Sequence, residues 1–362
     1  MPRRRNVRPS GRLAGIPRGP AGRTGRAGGA GAARTGRRLG RQVDLSPLLP
    51  RADLLAAAAL LDAALGDPVY RWHPVRLFGA SLAWIERGLR AAGADGRAGG
   101  CLLFALLAAL WLGGLSAGLL GAARLHPLAG AAAHFFLLYS LLALGDLLAH
   151  GRAVERAAAA GDLTAARQAA GRLVGRDADR MDAAACRRAA IESLAENLAD
   201  GVVSPILWYA LLGIPGLVLC KLVSTMDSMV GFRTPRYLHF GWCGARLDDL
   251  LQWLPARASW LLIALAAAVL PGCSGRRALV AGWRDHAVLP GPNPGWSEAA
   301  MAGAIQRRLV GPLWLEGSLV TDTWIGDPAA PAAGTASDFR RAQAVVYGAA
   351  ARAYAAAAAG VW

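Results

Sequence analysis

The densest group of reactive side chains lies between Lys221 and Gly231. Within eleven residues this segment combines an ammonium, hydroxyls that include Thr225 and Ser228, and the carboxylate of Asp227. Lys221 is the only lysine among 40 basic residues, so arginine serves every other basic role. This usage favours a need for the compact ammonium, for example to bind a phosphate or a carboxylate. A lysine that snorkels from the end of an apolar helix explains the residue equally well.

Three carboxylates fall at helical spacing upstream of this segment. Glu192, Glu196 and Asp200 occupy positions i, i+4 and i+8, which places them near one face of a helix predicted over 182–199. Like charges at this spacing repel, so the row needs cations or solvent beside it. A carboxylate whose pKa is raised by such a neighbour is suited to act as a general base.

Two shorter pairs offer metal or acid–base chemistry. Adjacent Asp248 and Asp249 suit Mg²⁺, a hard cation that takes carboxylate oxygens, although acids also favour the first turn of a helix. His73 follows Asp67 by six residues in a loop flanked by proline. A general base and a metal ligand are both open at this position, but a capped structural histidine is favoured.

Several common sites are excluded by their missing motifs. The five cysteines are scattered and form no C-x-x-C pair, which argues against a zinc site or a disulfide framework. The sequence has no zinc-protease H-E-x-x-H, no P-loop and no Rossmann glycine motif. Any nucleotide must therefore be bound in another way.

These side chains are separated by apolar segments that predict a membrane protein. The chain is 54% apolar with a mean hydropathy of +0.32. Residues 101–123 carry no charge and exceed the roughly 20 residues that cross a bilayer core, and residues 129–149 also qualify. Because only five residues separate the two, we expect a helical hairpin that leaves residues 51–100 and 150–200 on one side.

Four weaker apolar stretches make the number of spans two to five. They are 53–65, 202–223, 258–271 and 342–362. Motifs that share one site must lie on one face, so 202–223 and 258–271 should re-enter, stay shallow or place the site in a cavity at membrane depth. An alternative is a transporter or a membrane regulatory protein, in which His134, Asp146 and Lys221 form an ion path.

The polar region that follows the hairpin is also predicted to be helical. Helices are expected over 152–160 and 163–174, broken at Gly161, with Asp162 as the N-cap of the second. Almost no segment alternates in the β-branched pattern of a strand. The predicted fold class is therefore all-α: a polytopic integral membrane protein whose polar helical loops carry the site.

The first residues differ from the rest of the chain. Residues 1–42 carry 12 arginines and no acid, with no aromatic residue and no apolar period. We expect a disordered Arg/Gly/Pro-rich tail over 1–45 and a single membrane-embedded catalytic domain over 46–362. Such a tail attracts anionic lipid or nucleic acid, but a solvated tail is favoured, and no nucleic-acid partner is predicted.

The motifs, in their order, resemble the adenosylcobinamide-phosphate synthase family of cobalamin biosynthesis, also called the CobD/CbiB family. The resemblance covers about 53–350, and its motifs are Gly66-Asp67-Pro68, His73-Pro74-Val75-Arg76, Gly175-Arg176-Asp177, Glu192 to Gly201, Lys221 to Gly231, Ala245-Arg246-Leu247-Asp248-Asp249, Leu254 to Arg257, Trp283-Arg284-Asp285, Pro292-Asn293, Trp296-Ser297-Glu298-Ala299 and Trp324 to Asp327. Three positions depart from the family pattern: Ser224 and Gln252 stand where Asn is usual, and Gly291 where Ser is usual.

The resemblance implies an ATP-dependent amide ligase of the cell membrane, multi-pass, with its site facing the cytoplasm. Such an enzyme joins aminopropanol or its phosphate to a propionate carboxyl of a corrinoid, adenosylcobyric acid, to give adenosylcobinamide (phosphate). ATP and Mg²⁺ are expected as co-substrate and metal, without a prosthetic group. The lipid bilayer and other corrin-pathway enzymes are the remaining expected partners.

The same resemblance, read with the chemistry above, assigns the site residues. The predicted catalytic residues are Glu192, Glu196, Lys221 and Asp227, and the predicted metal ligands are Asp227, Asp248 and Asp249. The predicted substrate-binding residues are Asp67, His73, Arg76, Arg176, Asp177, Asn197, Asp200, Thr225, Ser228, Arg246, Asn293, Trp296, Glu298 and Asp327. In this hypothesis Lys221 and Arg246 clamp phosphate, Glu192 or Glu196 deprotonates the amine, and Trp296 or His73 faces the corrin.

Overall fold

The computed structural model describes residues 44–67, 70–175 and 177–360. The predicted disordered tail lies outside these residues except for its last two positions, and so does the predicted binding residue Arg176. Both remain predictions, as does the single domain over 46–362.

Helices build most of the chain that the structure describes: 72% of those residues are helical, which confirms the all-α fold class. The α-helices are α1 (Ala52–Leu65), α2 (Pro74–Ala91), α3 (Arg97–Ala108), α4 (Gly114–Leu125), α5 (Pro127–Leu141), α6 (Leu144–Ala159), α7 (Leu163–Gly171), α8 (Ala183–Asn197), α9 (Ser204–Val230), α10 (Trp242–Leu251), α11 (Trp253–Ala267), α12 (Gly275–Asp285), α13 (Pro294–Ile305) and α14 (Ala336–Ala358). Two π-helical segments, Ala109–Gly113 and Leu198–Val203, join α3 to α4 and α8 to α9.

Four short strands, which the sequence did not predict, lie between α13 and α14. They are β1 (Leu309–Val310), β2 (Leu313–Leu315), β3 (Ser318–Thr321) and β4 (Trp324–Ile325). β1 pairs with β4 and β2 with β3, both antiparallel. Strands of two to four residues carry too little alternation for a sequence pattern to reveal them.

The apolar helices confirm a multi-pass membrane protein. Three described helical stretches are long and apolar enough to cross a bilayer: Arg97–Leu125, Pro127–Ala159 and Ala183–Val230. A fourth is added if α10 and α11, which meet at an angle of 41°, form one bent span. Three or four spans fall within the two to five predicted.

The polar region after the hairpin is organised nearly as predicted. Gly161 adopts a φ of 76° and ends one helix, and the Asp162 carboxylate accepts the Ala165 N–H as the N-cap of α7. The separate helix predicted over 152–160 is wrong, because those residues are the second half of α6. The apolar run before residue 152 breaks instead at Leu142–Ala143. There the buried carboxylate of Asp62 accepts the Leu144 N–H at the start of α6.

Further breaks in the apolar helices lie within and just before α9. Gly213 interrupts α9 with a φ of 65°, a conformation that side chains disfavour, and Pro215 follows inside the helix. The π-helical segment Leu198–Val203 interrupts the helix that leads into α9. Such segments take backbone groups out of the regular ladder and are frequent at functional sites.

Candidate active site

Lys221 lies at the centre of a group of polar side chains contributed by four helical elements. Its ammonium donates to the carbonyl of Gly201, 3.5 Å away, in the π-helical segment before α9. It also lies within electrostatic range of Asp62, Asp67 and Asp200. One ammonium is thus placed near carboxylates that are distant in sequence.

A cavity of about 300 Å³ opens beside this ammonium, and we call it the Lys221 cavity. Asp67, His73 and Arg76, all predicted site residues, line it together with Lys221. Ser140 and the break at Leu141–Ala143 complete its wall. The cavity therefore brings together an ammonium, a guanidinium, an imidazole and a carboxylate.

His73 makes two structural contacts. Its Nδ1 accepts the Val75 N–H at 3.3 Å and caps α2. That contact leaves the proton on Nε2, which donates to the Asp67 carboxylate at 3.0 Å. Burial raises the pKa of Asp67, and the charge of His73 opposes this shift. Asp67 and His73 thus form a hydrogen-bonded pair on the cavity wall.

A second cavity of about 230 Å³ shares Ala143 with the first, and we call it the Asn197 cavity. The predicted residue Asn197 lines it and donates to the Ser193 carbonyl at 3.0 Å. Three lining residues were not predicted as binding residues: Asp146, His150 and Arg172. The spacing of four residues between Asp146 and His150 in an apolar segment could have indicated this pair. In the structure the two side chains lie 3.3 Å apart.

Asp62 was also missed, although it builds the wall between the cavities. Its carboxylate is fully buried and accepts the backbone N–H of Leu144 at 2.9 Å and of Gly145 at 3.3 Å. It therefore caps α6 and fixes the break that lines both cavities. Burial raises the pKa of Asp62, and the two backbone N–H groups oppose the shift. Only the isolated acid in an Ala/Leu helix could have indicated this role.

Further along α9, the acids form a second polar group. Asp200 lies within electrostatic range of Glu196, Asp227 and Asp248, as well as Lys221. Asp248 in turn interacts with both Asp227 and Asp249. The structure thus brings together Glu196, Asp200, Asp227 and the adjacent Asp pair, as the motif list implied.

These acids do not form a metal cage among the described residues. No group of three or more His, Cys, Asp and Glu side chains there is arranged to hold a metal ion. Asp249 instead pairs with Arg246 at 3.2 Å. Mg²⁺ that arrives on phosphates needs only one or two protein carboxylates, so the residues fit a substrate-borne ion and not a resident one. The prediction that Asp227, Asp248 and Asp249 bind Mg²⁺ therefore remains a prediction, and it now concerns an ion that arrives on the phosphates of a substrate.

The two hydroxyls predicted to bind substrate bond to their own helix. Thr225 Oγ1 donates to the Lys221 carbonyl at 2.7 Å, and Ser228 Oγ donates to the Ser224 carbonyl at 2.8 Å. Each contact links residues four apart, a common alternative for hydroxyls inside a helix. Substrate binding by Thr225 and Ser228 stays a prediction.

Glu192 differs from the two acids that follow it in the helix. Its buried carboxylate accepts the Val310 N–H at 2.8 Å, where Val310 has a φ of 70°. The side chain therefore supports the start of the strand region. Glu196 is exposed and belongs with Asp200, which makes it the better placed of the two candidate bases.

Two other predicted binding residues connect elements of the fold. The Asp177 carboxylate accepts the N–H groups of Glu316 and Gly317, at 3.2 and 2.8 Å, and so holds the turn between β2 and β3. Asn293 is buried, accepts from Arg257 at 3.0 Å and donates to the Asp249 carbonyl at 2.9 Å. Both side chains bond to protein groups, so their part in binding substrate stays a prediction.

The corrin-facing role proposed for Trp296 does not fit its position. Its ring is only 5% exposed, stacks on His286 with centroids 4.0 Å apart and lies under the Arg257 guanidinium at 4.9 Å. Glu298, two residues on, is also buried within α13. Asp327 is exposed and caps a turn by accepting the Ala329 N–H. None of the three lines the Lys221 or the Asn197 cavity.

A polytopic helical protein with acids, an ammonium and an imidazole gathered around internal cavities belongs to the class of membrane-embedded enzymes. A family model described as "CobD/Cbib protein" matches residues 55–346, so the chain belongs to the CobD/CbiB family of cobalamin biosynthesis. No solved structure matches the chain.

Curated relatives agree over most of their length. The chain is 41% identical over 306 residues to the cobalamin biosynthesis protein CobD of a Sinorhizobium species, an alignment that covers 82% of this chain and 94% of that protein. It is 39% identical over 276 residues to the cobalamin biosynthesis protein CbiB of Salmonella typhimurium, covering 75% of this chain and 85% of the relative. CobD of Geobacter metallireducens is 39% identical over 296 residues, with 82% and 92% covered. These relatives favour the biosynthetic enzyme over the transporter alternative.

Proposed function

We propose that this protein is an adenosylcobinamide-phosphate synthase, an ATP-dependent amide ligase. It joins the amine of aminopropanol, or of aminopropanol phosphate, to a propionate carboxyl of adenosylcobyric acid. The observation that carries the proposal is the position of Lys221, whose ammonium lies between a cavity and a group of carboxylates. Such a site can hold a negatively charged acyl group beside a reacting amine.

The reaction needs an activated acyl group, because a carboxylate does not react with an amine at neutral pH. In the proposed first step the propionate oxygen attacks the γ-phosphorus of ATP, and ADP leaves. In the second step the amine attacks the acyl carbon, phosphate leaves and a base takes the amine proton. Each step builds negative charge on oxygen, which fixed cations stabilise in a site shielded from water.

The residues of the site suit these tasks. Lys221 and Arg246 would bind phosphate oxygens, and Lys221 would also stabilise the developing charge at the acyl carbon. Glu196 would accept the amine proton, since it is exposed and lies close to Asp200 and the other acids of the site. Asp227, with Asp248 or Asp249, would hold the Mg²⁺ that the phosphates bring.

The location of the site follows from the same proposal. ATP and the corrinoid intermediates are cytoplasmic solutes, so the cavities would open toward the cytoplasm from a protein in the cell membrane. Motif residues on both sides of the break at Gly213 meet near Lys221, which supports a site in a cavity at membrane depth. Other corrin-pathway enzymes are the expected neighbours.

An assay of membranes that contain this protein tests the proposal. The reaction would contain adenosylcobyric acid, aminopropanol phosphate, ATP and Mg²⁺, and mass spectrometry would follow the corrinoid. We expect a product of the mass of the amide that forms only when both ATP and Mg²⁺ are present. No product with either form of aminopropanol, while a CbiB relative succeeds in parallel, would contradict the proposal.

A further inference from the structure

A third cavity, of about 430 Å³, opens where α9 ends and α10 begins, and we call it the Arg233 cavity. Three arginines line it: Arg97, Arg233 and Arg246. Its one lining acid is Asp249, which already pairs with Arg246 at 3.2 Å. Among the described residues neither Arg97 nor Arg233 forms an ion pair, so the cavity carries a net positive charge.

Backbone groups add to this charge. α10 begins at this cavity. The Trp242 N–H donates to the His239 carbonyl at 3.3 Å, and the N-cap Gly241 provides no side chain to accept the N–H groups that follow. The start of a helix carries a partial positive charge and free N–H donors, and together with guanidinium groups it favours a phosphate. The ring of Trp242, 38% exposed, lies on the same wall with Arg97 5.0 Å from its centroid. The cavity thus combines anion donors with an aromatic surface.

The Arg233 cavity adjoins the acids of the candidate active site. Gly231 forms part of its wall, and any side chain at this position would collide with the Asp227 carboxylate. Gly231 follows Lys221 by ten residues, about 15 Å along the helix. The acids therefore lie between two cavities, with the Lys221 cavity on one side and the Arg233 cavity on the other.

We propose that the Arg233 cavity binds the phosphate groups of a nucleoside triphosphate. Arg97, Arg233 and the N-terminus of α10 hold the phosphates, and Trp242 supports the base. Asp227 and Asp249 at the inner end are the one or two carboxylates that phosphate-bound Mg²⁺ requires. This inference rests on the proposed function for the identity of the nucleotide, ATP, and it explains how a chain without a P-loop binds one.

The chain offers a matched control in a second basic cavity of about 420 Å³. Arg276, Arg277 and Arg284 line that cavity, but its lining includes no aromatic ring and none of the acids near Lys221. A general effect of removing an arginine near the surface should appear equally at both cavities.

The test is equilibrium binding of a fluorescent ATP analogue, displaced by unlabelled ATP, to the full-length protein in nanodiscs of zwitterionic lipid. Arg233→Glu should weaken binding by about tenfold or more, because a charge-assisted contact becomes a repulsion. Arg276→Glu should change it by less than about twofold. Arg233→Gln, a milder change, should give an intermediate loss. Equal losses in the two Glu variants, no loss in either Arg233 variant, or no binding by the wild type would overturn the proposal.

A lipid headgroup also carries a phosphate, so a second experiment distinguishes lipid from nucleotide as the ligand of the Arg233 cavity. Native mass spectrometry of protein from nanodiscs with anionic lipid would show any lipid bound to the wild type and to Arg233→Glu. A lipid lost from the variant while its ATP affinity is unchanged would make the cavity a headgroup site and contradict the proposal.

Because binding needs no turnover, a wild type that binds ATP here and makes no amide contradicts only the proposed function. A wild type that makes the amide while Arg233→Glu binds ATP normally contradicts only this inference.

Discussion

The region around Lys221 and the region from α12 to α14 both carry motifs of the family, but their polar side chains do different things. Around Lys221, Asp67, His73 and Arg76 line a cavity. In the second region, Asp285 accepts from Arg284 and from the Gly326 N–H, and Asp338 is fully buried against two arginines. The polar side chains of the two regions thus differ in surroundings: one set lines a cavity, and the other bonds to protein groups.

This contrast predicts that substitutions near Lys221 reduce activity and that those in the second region reduce stability. Lys221→Met should have the largest effect on activity, a fall in kcat/KM on the order of 10²–10³-fold, as for removal of a fixed group that stabilises charge in the transition state. The loss should persist when activity is expressed per folded molecule, which corrects for any destabilisation by the acids left without the ammonium. Turnover close to that of the wild type would remove Lys221 from the mechanism.

Asp338→Ala should show the opposite pattern. Its carboxylate accepts from Arg307 at 2.9 Å and Arg341 at 2.6 Å and completes a capping box with Thr335 at the start of α14. Loss of one partner from such a buried group should lower the free energy of unfolding by about 3–5 kcal/mol, with the activity of the folded protein unchanged. Thermal unfolding and activity per folded molecule measure the two quantities.

The Asp338 carboxylate also makes the stability of the protein depend on pH. Burial opposes ionisation of Asp338, but hydrogen bonds from Thr335 and Gly334 and the charge of Arg307 outweigh it and lower the pKa. Because the pKa is lower in the folded state, the ionised carboxylate stabilises the protein at pH values above the unfolded-state pKa of about 3.9. This stabilisation is lost as the pH falls through the pKa of the folded state. Wild-type stability should therefore drop on acidification more than that of Asp338→Asn. A parallel decline in both proteins would contradict this account.

Asp67→Asn should have the smallest of the three effects and sharpen the assignment of the Lys221 cavity. The amide weakens the bond from His73 Nε2, so kcat/KM should fall by about tenfold, the scale of a lost hydrogen bond to a charged group. Because burial raises the pKa of Asp67, the wild type should lose activity on acidification at a pH above the usual Asp value. The variant should lack this acid limb. An unchanged profile in the variant would show that another group titrates there.

The parts of the structure that were predictable from sequence depend on neighbours in the chain. The charge-free run 101–123 lies inside the first span, and Gly161 and Asp162 break and cap the helices where expected. The resemblance to the family also grouped Asp200 with Lys221 and Asp227, which the structure places within electrostatic range of Asp200 across the break at Gly213.

The parts that were missed depend on contacts between distant residues. The cap that Asp62 provides to α6 joins residues 82 positions apart, and the bond from Val310 to Glu192 joins residues 118 apart. Local periodicity reveals neither. The burial of Trp296 likewise follows from the packing of α13 against α11 and α12, which no motif records.

The most direct test of the central claim uses the fact that Lys221 is the only lysine in the chain. An amine-reactive reagent can label this side chain and the N-terminal amine, and peptide mass spectrometry separates the two. If Lys221 lies in the active centre, adenosylcobyric acid with ATP and Mg²⁺ should slow its labelling in proportion to their occupancy and leave the N-terminal amine unaffected. Labelling of Lys221 at the same rate with and without saturating substrates would contradict the account.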